Sequence, residues 1–371
     1  MMDIVEFAHL SMGPAYQLYP MQKAILKACY GRTEGNEALG LDAGEIKALE
    51  RFDNKDAIRK LIHYEGGRLR ERSLVLGRRS GKDVLSTLVA LYEVYWLLTA
   101  TKGCPRKYYN IDSENPIYIV MISASVDQSR ILFNEVKSRI SQSPISNWVS
   151  DIDQRRQMIH FGKSDTEADT ILWVTHKDSE RLFGKSGTDP QDCISFTHKD
   201  SERLLGKRYF GIFLCEAGSF PETIGSRILA SLAPSTADFV HTYCADSTIN
   251  IITTVPSEAG HFVEKFHRDA SRYKHRIAIR LPTWEINPNT TRSILRKEYN
   301  SMSDKEFGLE FGCDFVEPEV EPVPLTIRLT QTTIDRLKQM ARRKSFEQDS
   351  DISYVELIRE AVDQYLRNSP S

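Results

Sequence analysis

Apolar positions along the chain follow two rhythms. Continuous aliphatic or β-branched runs at 74–76, 117–123, 170–174, 193–196, 211–214, 250–254 and 275–281 suit strands buried on both faces. Between them lie helix-periodic stretches. Residues 15–30 read as a turn and a helix, with Pro20 near the first helical position, and 40–66 is charged and closes on Gly66-Gly67. Val84 opens a long apolar helix, and Asp127-Gln128 opens an amphipathic one that runs to Ile140. Apolar strands alternating with helices predict an α/β domain with a mostly parallel sheet flanked by helices.

The rhythm breaks at 317–324 (EPEVEPVP), where three prolines and three glutamates make an extended, self-repelling spacer. It divides the chain into a domain at 1–316 and a module at 325–371. The module opens with strict alternation: Leu325, Ile327 and Leu329 share one face, and Thr326, Arg328 and Thr330 the other. A helix over 331–343 follows, with Ile334, Leu337 and Met340 at three-residue steps. Ser353, with Glu356 three residues on, then caps a second helix that buries Val355, Leu357, Ile358, Ala361, Val362 and Leu366. One strand and two helices cannot close a core in about 45 residues. Pairing with the same strand of a second copy would, so a homodimer is expected.

Composition narrows the field only modestly. Of 371 residues, 40% are hydrophobic and 27% charged, and the net charge of −2 carries no global nucleic-acid signature. Any DNA contact must come from local patches. The six cysteines (Cys29, Cys104, Cys193, Cys215, Cys244, Cys313) form no C-x-x-C pair, which suits a reducing, cytoplasmic setting. Asp3 and Glu6 give the N-terminus none of the character of a signal sequence. The longest apolar stretch, 84–98, is interrupted by Glu93 and is too short to span a bilayer. No membrane partner is expected.

The candidate chemistry concentrates at 74–86 (LVLGRRSGKDVLS), an apolar run entering a glycine-bounded loop that ends in Gly-Lys at the mouth of a helix. Such a loop cradles phosphate: glycines let backbone N–H groups turn inward, the helix N-terminus adds positive potential, and Lys82 supplies a mobile cation. Gly77, Arg78, Arg79, Ser80, Gly81, Lys82 and Asp83 form the nucleotide-binding set, with ATP and Mg²⁺ the expected ligands. Only three residues separate Gly77 from Gly81, one fewer than the common spacing. Asp83 replaces the hydroxyl residue that usually touches magnesium and becomes the candidate metal ligand. Arg78 and Arg79 either fork onto phosphate or serve the fold.

A partner carboxylate belongs at the end of a neighbouring strand, where it orients water. Glu216 in IFLCEAG (212–218) holds that position, as the catalytic partner of Lys82 or as the cap of a strand-to-helix turn. Cys215 stands where an aspartate would hold magnesium, and a neutral thiol is a poor ligand for a hard cation. Either Asp83 compensates from the other side of the site, or the site has decayed to binding without turnover. Near it, THKDSERLFGK (175–185) recurs as THKDSERLLGK (197–207), ten of eleven positions matching. This is a local tandem duplication of a strand-plus-loop unit or a pair of basic loops facing a phosphate-bearing partner, with Arg203, Lys207 and Arg208 as the contacts.

The order of these segments resembles the ATPase domain of phage large terminases, the DNA-packaging motors, over roughly residues 15–316. YPMQ (19–22) resembles their adenine-contacting element, which implicates Gln22. GRRSGK (77–82) is similar to their shortened, arginine-rich Walker A loop, SASVDQ (123–128) to a strand end of theirs, and LCEA (214–217) to Walker B. TTVPS (253–257), followed by Gly260, resembles the segment that senses γ-phosphate, which implicates Thr253 and Thr254 in coupling. PTWEINP (282–288) and EFGCDF (310–315) look like the end of that domain. Large terminases continue into a metal-dependent nuclease; this chain enters its Pro/Glu spacer instead, so DNA cleavage is not expected from it.

The tail, through LTIRLT and LIREAV, resembles the ribbon-helix-helix family of Arc and CopG type. That likeness implies a two-stranded ribbon in the DNA major groove. Thr326, Arg328 and Thr330 would face base edges, and Ser353 would hold a phosphate at a helix N-terminus. The alternative is a strand face used only for dimerisation. Two functions follow. One is a terminase-like, DNA-associated ATPase without a nuclease, with double-stranded DNA, a second copy and other phage packaging proteins as partners in a bacterial or phage-infected cytoplasm. The other is a non-enzymatic DNA-binding transcriptional regulator carrying a degenerate ATPase domain.

Overall fold

Strand residues alternate between two cores, and that alternation builds the sheet. Leu74 and Leu76 enter one apolar cluster while Val75 enters the other; Ile119 and Met121 part from Val120 and Ile122 in the same way. The computed structural model describes residues 1–14, 16–30, 40–51, 55–62, 69–112, 115–162, 170–177, 207–241, 244–316, 331–348 and 357–358. The chain separates into two compact units, Met1–Pro318 and Glu319–Ser371.

In the first unit the strands are β1 (Glu71–Leu76), β2 (Ile117–Ser123), β3 (Val149–Asp153), β4 (Met158–Phe161), β5 (Thr170–His176), β6 (Arg208–Cys215), β7 (Val240–His241), β8 (Cys244–Ala245), β9 (Thr248–Thr253) and β10 (Arg276–Leu281). Eight form one sheet in the order β10-β1-β9-β6-β2-β5-β4-β3, and β7 and β8 pair separately. From β10 to β5 every pairing is parallel; β4 and β3 are antiparallel additions at one edge. The expected parallel core is therefore present. The edge hairpin went unread because its burial pattern is broken and half-exposed, unlike the continuous runs of the central strands. The expected strand at 193–196 lies outside the described residues.

Helices Ile4–Met12, Pro20–Tyr30, Lys82–Ala100 and Val126–Ile140 contribute to the larger core. Helices Glu222–Leu232 and Phe262–Arg268 contribute to the other. The charged stretch after residue 40 forms two short helices, Ala43–Leu49 and Lys55–Ile62, rather than one. Among the described residues, Lys82–Ala100 is the one helix long and apolar enough to cross a membrane. Here most of it is buried within the domain.

That helix also carries a buried charge. Glu93 and Arg72 of β1 pair at 3.0 Å with side chains 0% and 1% exposed. Arg72 also donates to Asn250 Oδ1 of β9 (2.8 Å) and to the Leu69 carbonyl (3.0 Å), and its guanidinium lies 4.0 Å from the centre of the Tyr30 ring. Tyr30 in turn donates to Glu93 (2.5 Å). Two central strands and two helices are thus joined through one satisfied polar cluster.

In the second unit, Gln331–Gln348 forms a helix that runs past the expected end at 343, and Leu357 and Ile358 are helical. Along the helix Ile334 and Leu337 are half-buried, Met340 is 59% exposed and Ala341 is buried. Thr326, Arg328, Thr330 and Ser353 lie outside the described residues.

Removing one partner of a fully buried ion pair strands the other, at a cost of about 3–5 kcal/mol. Glu93→Ala should therefore lower the urea midpoint of unfolding, followed by circular dichroism, by a corresponding amount. The double variant Arg72→Met/Glu93→Leu should lose less than Glu93→Ala alone.

Candidate nucleotide-binding site

Between β1 and the helix Lys82–Ala100 the chain turns through a loop whose shape depends on close approach. A Cβ on Gly77 would meet Thr283 Oγ1 at 2.3 Å and the Phe311 carbonyl oxygen at 2.7 Å, so only glycine fits. Gly81 has φ +80°, and a Cβ there would lie 2.5 Å from Gln22 Nε2. Arg79 also has positive φ, 65°. Three loop carbonyls are held by side chains: Thr283 Oγ1 donates to Arg78 (2.7 Å), Asn287 Nδ2 to Arg79 (2.8 Å) and Gln22 Nε2 to Ser80 (2.8 Å). The Arg78 N–H donates to the Glu310 carbonyl at 2.7 Å, within a π-helical turn at Gly308–Gly312. With those groups engaged, the first N–H groups of the following helix, which have no partner within a helix, are left for an anion.

Lys82 is 8% exposed; its Nζ donates to the Gly77 carbonyl at 3.4 Å and lies 3.5 Å from Glu216 Oε1. Glu216 follows β6 in a left-handed conformation (φ 56°, ψ 37°), a strained state for a residue with a Cβ. Its other oxygen accepts from Thr254 Oγ1 at 3.4 Å. Thr253 is fully buried; its hydroxyl accepts from Gly218 N–H (2.7 Å) and donates to the Thr254 carbonyl (2.9 Å). The topology explains this convergence. Strand β9 lies between β1 and β6, so Thr253 and Thr254 leave the sheet between the loop and Glu216.

Asp83, Cys215 and Glu216 line one cavity of about 50 Å³, together with Ser123, Gln128, Ile131 and Leu132. Loss of surrounding water and then the nearby Glu216 carboxylate raise the Asp83 carboxyl above the usual carboxylate range, against the pull of Lys82. Burial pushes the Cys215 thiol well up, outweighing its hydrogen bond with Ser86. It stays neutral and offers no charge to a cation.

Other expected residues sit differently. Gln22 is fully buried; with Nε2 on Ser80, its Oε1 accepts from Tyr19 N–H at 2.9 Å, so it braces the loop from beneath. Arg78 and Arg79 pair with Glu310 (3.5 Å) and Glu298 (3.0 Å), all four acting on the protein itself. The Ser80 hydroxyl is buried and has no partner among the described residues. Of the repeat, Lys207 lies 4.7 Å from the centres of the Tyr118 and Trp173 rings, and Arg208 pairs with Asp238 at 2.7 Å; Arg203 lies outside the described residues. Thr283, Asn287 and Glu310 were legible only as members of terminal segments. Their role as supports emerges from contacts some 200 positions apart in the chain.

Residues 1–179 match the family model described as the N-terminal P-loop domain of uncharacterized protein MJ0330. No curated protein matches the chain. Among solved structures, the chain is similar to the ATPase domain of the Thermus phage P74-26 large terminase, at 16% identity and a TM-score of 0.46, covering 74% of this chain and 98% of that one. It is similar to the bacteriophage HK97 large terminase at 14% identity and a TM-score of 0.45, covering 80% of this chain and 59% of that one. For the large terminase of the thermophilic bacteriophage D6E the identity is 10% and the TM-score 0.40, covering 70% of this chain and 52% of that one.

The raised Asp83 carboxyl has a consequence for stability. Because the folded state holds that proton more tightly than the unfolded one, the site loses stability as pH rises through the carboxylate range and stays penalised above it. Asp83→Asn should therefore raise the melting temperature of the nucleotide-free protein at pH 7–8. The gain should be no more than about 2 °C, because the residue keeps part of its surface in solvent although its carboxyl is partly desolvated, and should fade as the pH approaches 4.

Proposed function

We propose that the first unit hydrolyses ATP and that the chain is a terminase-like, DNA-associated ATPase. One observation carries the reading: Glu216 is held in a strained backbone state between Lys82 Nζ at 3.5 Å and Thr254 Oγ1 at 3.4 Å. A carboxylate that had lost its task would have little reason to keep that strain. On this reading Lys82 moves from Glu216 to the β- and γ-phosphates when nucleotide enters. Glu216 is thereby freed to orient and deprotonate the attacking water. Thr254 and the Thr253-bound Gly218 N–H then carry the change at Glu216 into β9.

Magnesium suits the residues present. Asp83 and Glu216 place two carboxylates on one small cavity, where burial and then Glu216 disfavour the charge on Asp83. A divalent cation would relieve that repulsion, with Asp83 as its protein ligand and Cys215 contributing nothing. When bound, it would neutralise charge on the phosphates. This favours compensation over decay: the acid absent from the strand end is supplied at the helix N-terminus, across the same cavity.

For the second unit, we propose a ribbon-helix-helix dimer that holds double-stranded DNA through Thr326, Arg328, Thr330 and Ser353. The exposed Met340 and half-buried Ile334 and Leu337 support it, as an apolar stripe that a second copy would cover. The rival reading, a regulator that binds nucleotide without turnover, draws support from the neutral Cys215 thiol.

ATP hydrolysis measured with magnesium, with and without duplex DNA, separates the readings. The wild-type chain should hydrolyse ATP, faster with DNA, and Lys82→Ala should lose about 100-fold or more. Asp83→Ala should lose about tenfold or more, and higher magnesium should restore part of the rate. Activity confined to Cys215→Asp would instead establish decay. For the tail, Arg328→Ala should weaken binding to duplexes selected from a random pool by about tenfold, while sedimentation still reports a dimer.

A further inference from the structure

We propose that Gln128 is a positioning residue of this hydrolytic site, holding the attacking water on the side of Glu216 away from Thr254. The inference rests on the ATPase reading above. Gln128 lies in the first turn of the helix Val126–Ile140, and its N–H donates to the capping Ser125 hydroxyl at 3.3 Å. That helix follows β2, which pairs with β6 and sets Ile122 opposite Leu214. Strand β9, which leads to Thr254, pairs with the other edge of β6. Glu216 thus emerges between two flanking segments, one bearing Thr254 and the other Gln128.

The side chain of Gln128 lines the cavity shared by Asp83, Cys215 and Glu216. Its Oε1 is shut off from solvent and has no hydrogen-bond partner among the described residues. An unsatisfied buried oxygen of this kind costs about 1–3 kcal/mol, a cost that folds tolerate mainly where a partner arrives in another state. A carboxylate accepts hydrogen bonds and does not donate them, so the neighbouring acids in that form cannot be the partner. Water can. A water needs roughly 10–15 Å³ of such space, so the cavity of about 50 Å³ takes a few waters and is too small for a nucleotide.

The remaining polar groups of the cavity are engaged or weak. Ser123 Oγ donates to the carbonyls of Ser125 (3.0 Å) and Thr175 (3.2 Å), and the buried Cys215 thiol is a weak hydrogen-bonding group. A carboxamide suits the task because it is neutral. Its oxygen accepts a proton of the water while its Nε2 donates to a phosphate oxygen. A carboxylate in its place would repel both the phosphate and Glu216. Glutamine performs this service in GTPases of the P-loop class.

The test compares full-length wild type, Gln128→Ala and Gln128→Glu by steady-state ATP hydrolysis, affinity for a fluorescent ATP analogue, and melting temperature. Gln128→Ala should lower kcat by about tenfold or more while KM and analogue affinity stay within about twofold and melting stays within about 2 °C. Gln128→Glu, equal in shape, should be poor at pH 8 and regain activity relative to wild type as the pH falls and its carboxyl becomes neutral. A Gln128→Ala enzyme with kcat within about twofold of an active wild type would overturn the role of Gln128 and leave the ATPase reading standing. So would losses of kcat, affinity and melting temperature in step, or a Gln128→Glu profile parallel to wild type. A wild-type chain that binds the analogue but does not hydrolyse ATP would sink the ATPase reading and this inference with it.

Discussion

One buried ion pair ties together the elements that carry the nucleotide site. Arg72 sits in β1, five residues before Gly77; Glu93 lies in the helix that Lys82 begins; Asn250 lies in β9, three residues before Thr253; Tyr30 ends the helix that holds Gln22. An isolated charge in this core would be prohibitively costly, so each partner must stay within hydrogen-bonding reach of the others. A slip of β9 against β1 would move Asn250 away from Arg72, and a tilt of the long helix would move Glu93. The cluster thus specifies the mutual register of the four elements, which hydrophobic contact alone constrains less sharply. What it adds is alignment more than net stability.

From that fixed frame the loop takes its shape by steric exclusion. Gly77 leaves no room for a Cβ against Thr283 and Phe311, and Gly81 leaves none against Gln22. Side chains from the beginning and the end of the first unit then hold three successive carbonyls. The loop is preorganised by direct hydrogen bonds, so little ordering remains to oppose phosphate binding. Two exposed ion pairs, Arg78 with Glu310 and Arg79 with Glu298, contribute little to stability at that exposure. Such pairs are easily exchanged, and a phosphate could draw either arginine from its glutamate at small cost.

Much of this was legible in the sequence. The central strands read correctly because burial on both faces forces continuous apolar runs, and the loop because its glycines and lysine stand between a strand and a helix. The edge hairpin, β3 and β4, was missed because half-exposed strands lose that pattern. Gln22 was noticed as a nucleotide contact, whereas its amide is spent on Ser80 and Tyr19; spacing identifies a residue near the loop but not which way its amide is used. Glu93 showed only as a break in an apolar run, and Arg72 as an ordinary charged residue. The pairing of β1 with β9, and of both with two helices, turns them into a core.

The Cys215 thiol is best understood together with Asp83. Both border the same cavity, one at the end of β6 and one in the first turn of the helix after the loop. Moving a carboxylate from the first place to the second preserves the charge available to a cation, since the buried thiol remains neutral. It also alters the energetics. At the helix N-terminus a carboxylate gains from the positive end of the dipole, yet loss of surrounding water and then the Glu216 carboxylate raise it. The nucleotide-free site therefore penalises the charge on Asp83. On the proposed magnesium-dependent reading, a bound cation would relieve that penalty and would couple metal affinity to nucleotide affinity.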